Sequence, residues 1–529
     1  MCVFGGGSAA TSFIDSKWAA TVRNGAHWNS LLYERALTSQ MKNYLPPGHG
    51  QYSNLDLHHE KPISGMTPTI NYPFSGDTLG PDSIARIIAQ LPPQAVQQLF
   101  VSQYFDAVEK VYHLLDKDAF QSELQQFWAD PSSKEDDWLA QYFVILCLGC
   151  QAVNYCAEES GKEAYHGLPP SFLRSAEICL KRTPYLLMAS LDNIRTLVLI
   201  VMSKQMYAMS CHEADTCWPL TGLIVRLSIR VGLHRAASQP YEHLSDEDRI
   251  KARIWAVVLM LEMRQSLVCG MPLLLRPVDI SGTEVKRDPC TGSPIPEIDV
   301  EPTPVKSSEH SILVKVFASS SDLLFRAIEL ATCPNDSVQY SEVAEVDSSM
   351  RQHLYQSGIG LYNSHLGIDS TEEVDLEVCM IQIFFRQILM ALHGRFALQP
   401  NASTEYPVSY VSSLESALAV IAFQRDLCEG DKWVQLCAWF AGFFRHEFFT
   451  AAMTVCSQLV RDLEVTNMPS HASFCETQPQ ELMLDALQSC RDMWGKEKNW
   501  SVCNANAFAL VDNLVRILRQ AQEQDSTTT

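Results

Sequence analysis

The chain has 529 residues, of which 47% are hydrophobic and 19% charged, so it can bury a large core and is too apolar to be mostly disordered. Lys and Arg number 40 against 61 Asp and Glu, and the net charge of −21 argues against direct binding to nucleic acid or to an anionic membrane surface. The 17 cysteines are an odd number spread along the chain, which indicates a reducing compartment rather than a disulfide framework.

Residues 1–90 are predicted to be a loosely ordered leader, because prolines interrupt them from Pro46 to Pro81. The first sixteen residues lack the basic start and the continuous apolar stretch of a signal peptide. The longest uninterrupted apolar runs, such as 255–261, are far shorter than the roughly 20 residues that span a bilayer. We therefore expect a soluble intracellular protein without membrane contact.

From residue 92 onward, apolar residues recur at helical intervals. The apolar runs 138–154 and 191–209 are too long for strands and are predicted to be buried helices. Two further helices carry clear boundary signals: one begins near Trp218 and stops at Gly232, and the next is capped around Ser245 and closes before Gly270. Helical periodicity also marks 312–332, 376–396, 411–427, 433–463, 481–494 and 505–520.

These patterns predict an all-α protein, a multi-helix bundle or stack of helices. A helical core is expected over 91–282 and a C-terminal helical half over 312–522. The polar, proline-bearing stretch 283–311 is the expected boundary between them, and residues 523–529 form a polar tail.

The stretch 218–279 contains a sequence of motifs in a fixed order. A helix with tryptophan, glycine and arginine leads to Gly-Leu-His-Arg at 232–235, then to Arg-Ile-Trp at 253–255 and to Gly-Met-Pro at 270–272, before Asp279. This order resembles the signature of the fungal-specific transcription factor domain, or middle homology region, of zinc-cluster regulators. The resemblance extends over roughly 95–460. The matching residues are interpreted as structural: Trp218, Gly222, Arg226, Gly232, His234, Arg235, Arg253, Trp255, Gly270 and Pro272.

The sequence departs from that family in small and large ways. Met271 replaces an arginine, Ala256 replaces a frequent second tryptophan, and Glu262 stands where an aspartate is common. The family's DNA-binding zinc cluster needs six cysteines within about thirty residues, interleaved with Lys and Arg. Before Cys147 the only cysteine of this sequence is Cys2. We therefore expect the chain to lack the zinc cluster.

Other candidate sites are weighed against ordinary structural roles. Cys147, Cys150 and Cys156 have a spacing that suits a metal, but on an apolar helix face they are more readily core residues. His58-His59-Glu60 lacks the four-residue histidine spacing of a helical metal site and favours a solvated loop.

The signature arginines have two interpretations. They could bind phosphate, but pairing with nearby acidic residues is favoured, for example Arg235 with Asp246 or Glu247, or His234 and Arg235 with helix-end carbonyls. Because no nucleophile, phosphate-loop or dinucleotide motif occurs, we expect no catalytic, cofactor-binding or metal-binding residues.

The resemblance implies a fungal nuclear transcriptional regulator or co-regulator, controlling a specialised (secondary) metabolite gene cluster through a helical effector- or partner-binding domain. Expected partners are a zinc-cluster or other DNA-binding regulator and a small-molecule effector. Direct DNA binding by this chain alone is not expected. Two alternatives remain: a helical enzyme of unknown chemistry, for which His234, Asp279 and a cysteine would have to converge in a cleft, and an inhibitory protein that titrates a DNA-binding partner.

Overall fold

A computed structural model of the chain describes the residues between 83 and 528, with gaps. The described ranges are 83–156, 165–207, 216–236, 244–275, 312–333, 338–357, 359, 376–399, 401–428, 432–466, 477–498 and 502–528. All regular elements in these ranges are helical, and no strand occurs there, so the predicted all-α class is confirmed.

The helices up to the signature stretch are α1 Ser83–Ala89, α2 Gln94–Tyr104, α3 Lys117–Ala129, α4 Asp136–Cys156, α5 Leu168–Arg182, α6 Leu191–Tyr207, α7 Cys217–Arg230, α8 Leu233–Ala236 and α9 Asp246–Cys269. The remaining helices are α10 Ile312–Thr332, α11 Tyr340–Gln356, α12 Leu376–Ala397, α13 Ala402–Glu405, α14 Pro407–Cys428, α15 Lys432–Ala441, α16 Arg445–Thr466, α17 Thr477–Glu497 and α18 Val502–Thr528.

Each long helix packs against helices near it in the chain, so the bundle grows as a stack. Helix α4 lies against α2, α5 and α6; α7 packs on α6 and α9; α9 reaches α10; α12 lies between α10 and α14; and α14 contacts α16 and α17. One continuous cluster of buried apolar side chains contains residues from α2 through α18. The cores of the two predicted halves are therefore continuous.

The backbones of α4 and α2 approach each other closely where the two helices cross. A Cβ atom placed on Gly149 would lie 1.9 Å from the carbonyl oxygen of Phe100. Only glycine lets the two backbones come this near, and this contact fixes how the first helices of the stack pack.

Helix α2 does not end regularly. It continues through a π-helical turn, Phe105–Glu109, into the short helix Lys110–Tyr112, and stops at His113, whose φ of 47° is left-handed. The wider turn directs Glu109 into the core, where it is 5% exposed. Such π turns are rare and need a local cause; here the buried carboxylate accepts a hydrogen bond from Tyr104.

Local sequence signals placed most helix ends correctly. Ser245 caps α9 by accepting a hydrogen bond from the backbone N–H of Asp248, and Gly270 ends the same helix with a φ of 64°. Gly232 has a φ of 80° just after α7, as its role as a stop signal predicted.

Two expectations need correction. The run 433–463 is not one helix, because the 3-10 turn Gly442–Phe444 separates α15 from α16. Helices α1, α3, α5 and α11 were not marked from the sequence, and α1 lies inside the stretch 1–90 that was predicted to be a loosely ordered leader. In α11, charged residues such as Asp347 and Arg351 interrupt the apolar pattern. The division at 283–311 stays a prediction, because that stretch lies outside the described residues, as does the leader up to residue 82.

Two described helices, α4 and α12, are long and apolar enough to cross a membrane by length and composition alone. In each, most of the apolar window is buried inside the protein, 83% and 89% respectively. That burial is typical of the central helices of a helical core.

Candidate functional site

Three signature residues, Trp218, Gly222 and Arg226, lie at intervals of four on α7. Gly222 and Arg226 lie next to the segment that follows α9. The guanidinium of Arg226 donates to the carbonyl oxygen of Gly222 at 3.0 Å. A Cβ atom on Gly222 would lie 3.3 Å from both the Arg226 Nη1 atom and the Leu274 Cδ1 atom. Gly222 therefore leaves space for the returning segment, while Trp218 is half-buried one turn earlier.

The turn that contains Gly270 and Pro272 is held to α9 by hydrogen bonds. The N–H of Met271 donates to the carbonyl of Ser266 at 2.9 Å, and the N–H of Leu274 donates to the Glu262 carboxylate at 3.1 Å. Burial raises the pKa of Glu262, and the Leu274 N–H and the charge of Arg226 offset this only in part. Glu262, which stands where an aspartate is common in the family that the sequence resembles, thus holds the turn to α9.

The remaining signature residues surround the start of α9. Trp255 is 1% exposed, and its ring centroid is 6.0 Å from that of His234. The expected pairing of Arg235 with Asp246 or Glu247 is not formed: Asp246 pairs with Arg249 at 3.4 Å, and Glu247 with Lys251 at 2.7 Å.

Arg253 is half-buried, and Arg230 donates to the carbonyl of Leu186 at 3.0 Å. The described contacts of the signature residues are thus made within the protein.

A buried ion pair joins α9 to the C-terminal half. Arg264 binds the carboxylate of Glu447 with two parallel bonds, Nε to Oε1 at 2.6 Å and Nη2 to Oε2 at 3.0 Å. The same guanidinium donates to Gln205 Oε1 at 2.8 Å and to the carbonyl oxygen of Phe443. The two side chains are 8% and 1% exposed. We call the junction formed by Arg264, Gln205, Phe443 and Glu447 the seam.

The opposite charges of Arg264 and Glu447 compensate each other within the seam. Burial by itself raises the pKa of Glu447, but the charge and the hydrogen bonds of Arg264 outweigh burial and hold the pKa below its ordinary value. For Arg264, burial lowers the pKa, and the carboxylate of Glu447 more than compensates. Both groups are therefore charged at neutral pH, and losing one partner would leave a buried charge unpaired.

Three consecutive residues at the start of α16 face three different cavities. Glu447 lines a cavity of about 10 Å³ beside Arg264, Arg445 one of about 50 Å³ beside Tyr155 and Glu497, and His446 one of about 30 Å³ against α12. These volumes hold one to a few water molecules. This first turn of α16 is the point at which the described cavities and helices converge, and it is our candidate functional site.

Arg445 ties the same turn to two other helices. It donates to the carbonyl of Met206 in α6 at 3.0 Å, and its Nε lies 3.5 Å from the carboxylate of Glu497 in α17. Glu497 in turn accepts a hydrogen bond from the hydroxyl of Tyr155 at 2.7 Å. A shift of α16 would therefore disturb α4, α6, α9 and α17 together.

A second buried polar cluster lies between α11, α12 and α14. His393 has one ring nitrogen 2.9 Å from the Ser409 hydroxyl and the other 2.9 Å from the Asp347 carboxylate. Asp347 also accepts two bonds from Arg351 and one from Ser412. Burial raises the pKa of Asp347, but His393 and Arg351 outweigh it and hold the pKa below its ordinary value.

This serine, histidine and aspartate have the order of a nucleophilic triad. Ser409 and His393 are 0% exposed and Asp347 is 5% exposed, so a substrate has no path to the hydroxyl. The arrangement holds three helices together.

Of the three cysteines singled out from the sequence, Cys147 and Cys150 lie in the core on α4, whereas Cys156 is half-buried at the end of that helix. Cys147 and Cys150 are 1% and 0% exposed, and their thiols donate to the carbonyls of Pro169 and Tyr165. Burial raises the pKa of Cys147 to about 12, so it is a thiol at neutral pH. Asp279 and the His58-His59-Glu60 motif lie outside the described residues, so the convergence required for the enzyme alternative is untested.

The central pair of the seam was missed by sequence reasoning. Arg264 and Glu447 are 183 positions apart, and neither carries a local motif. The available signal was a charged residue close to an apolar or aromatic stretch: Arg264 comes soon after the run 255–261, and Glu447 directly precedes two phenylalanines. Such residues need a buried partner, but the sequence does not name it.

Comparison with known proteins confirms the predicted resemblance. Residues 101–318 match the family model of the fungal specific transcription factor domain. The chain is 22% identical to the Zn(2)-C6 fungal-type transcription factor mpsB of Macrophomina phaseolina (strain MS6), over 85% of this chain and 61% of that protein.

Two other relatives match at similar sequence identity. The Zn(2)-C6 fungal-type transcription factor pigI of Monascus ruber is 22% identical over 77% of this chain and 50% of its own length. The Equisetin cluster transcription factor eqxF of Fusarium heterosporum is 23% identical over 78% of this chain and 60% of its own length. The chain thus spans about half to three fifths of the length of these curated relatives.

Proposed function

We propose that this chain, whose residues 101–318 carry a fungal specific transcription factor domain, regulates transcription of a specialised-metabolite gene cluster in a fungal nucleus. The observation that carries the proposal is the match of most of the chain to regulators of this kind, one of which is named for the equisetin cluster. The helical body acts through contacts with proteins or small molecules.

The arrangement of the signature residues supports this role. We propose that they serve the scaffold: Arg226, Gly222 and Glu262 fasten the turn after α9, and Trp255 packs near His234. None of these contacts presents a basic surface of the kind that binds phosphate, and the net charge of −21 opposes such binding.

We propose that sequence-specific DNA binding comes from a zinc-cluster partner or from sequence outside these 529 residues. A pull-down from nuclear extract with the full chain should recover a DNA-binding regulator. Full-length transcript sequencing separates the two sources, because an in-frame exon with six cysteines would eliminate the borrowed reader. In a mobility-shift assay, the purified chain alone should give no sequence-dependent complex.

The enzyme alternative is less well supported. The Ser409, His393 and Asp347 cluster is the one described arrangement with catalytic order, and its complete burial removes access. We therefore propose that the chain acts without catalysis.

Deletion of the gene tests the regulatory role directly. We expect the transcripts of a set of neighbouring biosynthetic genes to change together, and complementation with the intact gene to restore them. A fall in transcripts identifies an activator, and a rise identifies either a repressor or an inhibitory protein that titrates a DNA-binding partner. Unchanged transcripts combined with loss of a single metabolic step would contradict the proposal and favour an enzyme.

A further inference from the structure

Three consecutive large apolar side chains are exposed on the turn between α5 and α6. Leu186, Leu187 and Met188 are 49%, 70% and 75% exposed. A single exposed apolar residue is common on a protein surface, but a run of three is unfavourable unless it serves binding. This turn is therefore a candidate contact surface.

The turn has a defined conformation. The carbonyl of Pro184 accepts hydrogen bonds from the backbone N–H groups of the last two of these residues, each at 2.8 Å. The side chain of Tyr185 is 5% exposed and anchors the turn in the core, and Arg230 at the end of α7 donates to the carbonyl of Leu186 at 3.0 Å. An ordered backbone thus presents the apolar side chains, which lowers the entropy cost of binding a partner.

Exposed arginines lie beside the turn. Arg230 reaches it directly, and Arg226 is exposed on the same face of α7, one helical turn earlier. Among the described residues, Arg230 forms no ion pair with a carboxylate. At the end of α5, Arg182 pairs with Asp136 at 2.8 Å, and its side chain is still 40% exposed. The α5–α6 surface is the name we use for Leu186, Leu187, Met188, Arg226 and Arg230.

The combination of hydrocarbon and positive charge indicates the chemistry of the partner. The apolar side chains gain free energy only when hydrocarbon covers them. A guanidinium is matched best by a carboxylate, which can accept two hydrogen bonds from it. A helix with apolar residues on one face and Asp or Glu beside them offers both groups. A nucleic acid backbone offers charge but no apolar cover, and the net charge of −21 repels it.

We propose that the α5–α6 surface binds an acidic amphipathic helix of a partner protein. The apolar face of that helix covers Leu187 and Met188, and its carboxylates pair with Arg226 and Arg230. Because the surface is small, the complex is weak and reversible. The regulatory meaning of the contact rests on the proposed function, whereas the binding itself does not.

The test uses the purified full chain and a fluorescein-labelled peptide of about 15 residues, with leucines on one face of a helix and glutamates beside them. Fluorescence anisotropy should show saturable binding in the micromolar range. The binding should weaken as salt is added, because salt screens the arginine–carboxylate pairs. A peptide with the same glutamates and with serine in place of leucine should bind about tenfold more weakly or less, since it cannot cover the apolar residues.

The apolar part of the surface is tested by two exposed positions. Leu187→Ser should weaken binding of the leucine peptide about five- to tenfold. Leu482→Ser is the matched control, because Leu482 is a leucine of α17 with a similar exposure of 68%, and it should bind as the wild type does. Met188→Ser should act in the same direction as Leu187→Ser and serves in its place should that variant not fold.

The charged part is tested by reversing one charge. Arg230→Glu should weaken binding about tenfold. Arg519→Glu, at an exposed arginine of α18, changes the net charge by the same amount and should have little effect. Arg230→Lys keeps the charge and should retain most of the affinity, which separates the loss of charge from the loss of the hydrogen bond to Leu186.

Absence of saturable peptide binding would overturn the proposal, and so would equal losses in the Leu187→Ser and Leu482→Ser chains. A dimer in sedimentation that Leu187→Ser abolishes would assign the surface to a second copy instead. Binding of duplex DNA or of phosphatidylserine vesicles that depends on Leu187, in preference to the peptide, would also overturn it.

These measurements do not depend on transcription. Cluster transcripts that change on gene deletion, without peptide binding, would overturn the proposed surface and leave the proposed function intact. Peptide binding with unchanged transcripts would overturn the proposed function and leave the surface intact.

Discussion

Buried carboxylates in this protein differ in pKa because their neighbours differ. Glu447 faces the guanidinium of Arg264, so its pKa is depressed and it adds stability that is lost only as the pH falls through that pKa. Glu109 accepts hydrogen bonds from the Tyr104 hydroxyl at 2.6 Å and the Leu115 N–H at 2.9 Å, and these bonds and the charge of Arg195 offset its burial only in part. Burial therefore dominates and raises its pKa from 4.5 to about 7.

Glu109→Gln should change how stability depends on pH. In the wild-type chain the folded state keeps the Glu109 proton from about pH 4.5 to about pH 7 while the unfolded state has lost it, so stability falls as the pH rises through this window. The loss is about 3 kcal/mol at most. The neutral amide mimics the protonated acid and should remove this slope and stabilise the protein at pH 7.5. Urea unfolding at pH 5 and pH 7.5 measures it, and an unchanged slope would contradict the assignment.

Substitution by alanine should change the stability of the protein in opposite directions at Gly149 and at Gly394, two glycines that lie in helices. Gly149→Ala places a Cβ atom 1.9 Å from the carbonyl oxygen of Phe100, and is expected to destabilise the fold by about 1–3 kcal/mol or more. Gly394→Ala meets nothing within 4 Å and should stabilise by about 0.5–1 kcal/mol, because alanine favours helix. Denaturant unfolding of both variants measures the difference, and equal effects would show that α2 and α4 are not in close contact.

At the scale of elements, the start of α16 depends on the seam. The guanidinium of Arg264 reaches both the carbonyl of Phe443, just before α16, and the carboxylate of Glu447 in its first turn. An acidic residue in the first turn of a helix also suits the helix dipole. Arg264 therefore positions α16 against α9 by two contacts at once.

Replacing only one member of the Arg264–Glu447 pair should lower the free energy of unfolding more than replacing both. Arg264→Met leaves the Glu447 carboxylate buried without its partner and is expected to cost about 3–5 kcal/mol. The double variant Arg264→Met with Glu447→Met carries no buried charge and should regain a large part of this loss. A double-mutant cycle by chemical unfolding gives the coupling. Additive effects of the single changes would mean that the pair does not act as a unit.

At the scale of the molecule, the apolar core runs through both predicted halves. Helix α9 of the first half packs on α10 of the second, and the seam adds charged contacts between them. Neighbouring parts of a chain move independently unless the interface between them is large and apolar, and here the described helices share one apolar core.

We expect a single thermal transition for the full chain. A fragment of residues 91–282 should lack cooperative unfolding, because Arg264 would lose Glu447 and α9 would expose the surface that α10 covers. Calorimetry of the chain and circular dichroism of the fragment check this. Two resolved transitions would show instead that the halves are independent domains.

The amino-acid sequence alone determined the helical class, most helix positions and the family resemblance. These depend on interactions between residues a few positions apart, such as the Ser245 cap, the left-handed Gly232 and Gly270, and the apolar period of α4. The break at Gly442–Phe444 and helix α11 could not be predicted from local patterns, because packing outweighs those patterns there.

Only the tertiary structure decided which charged residues meet. Arg264 and Glu447, or His393 and Asp347, are joined by the crossing of helices far apart in the chain. The cavity beside His446 likewise exists only where residues from separate helices leave space between them. Local periodicity specifies a helix, but the partner of a buried charge depends on how helices stack, and that is a property of the whole core.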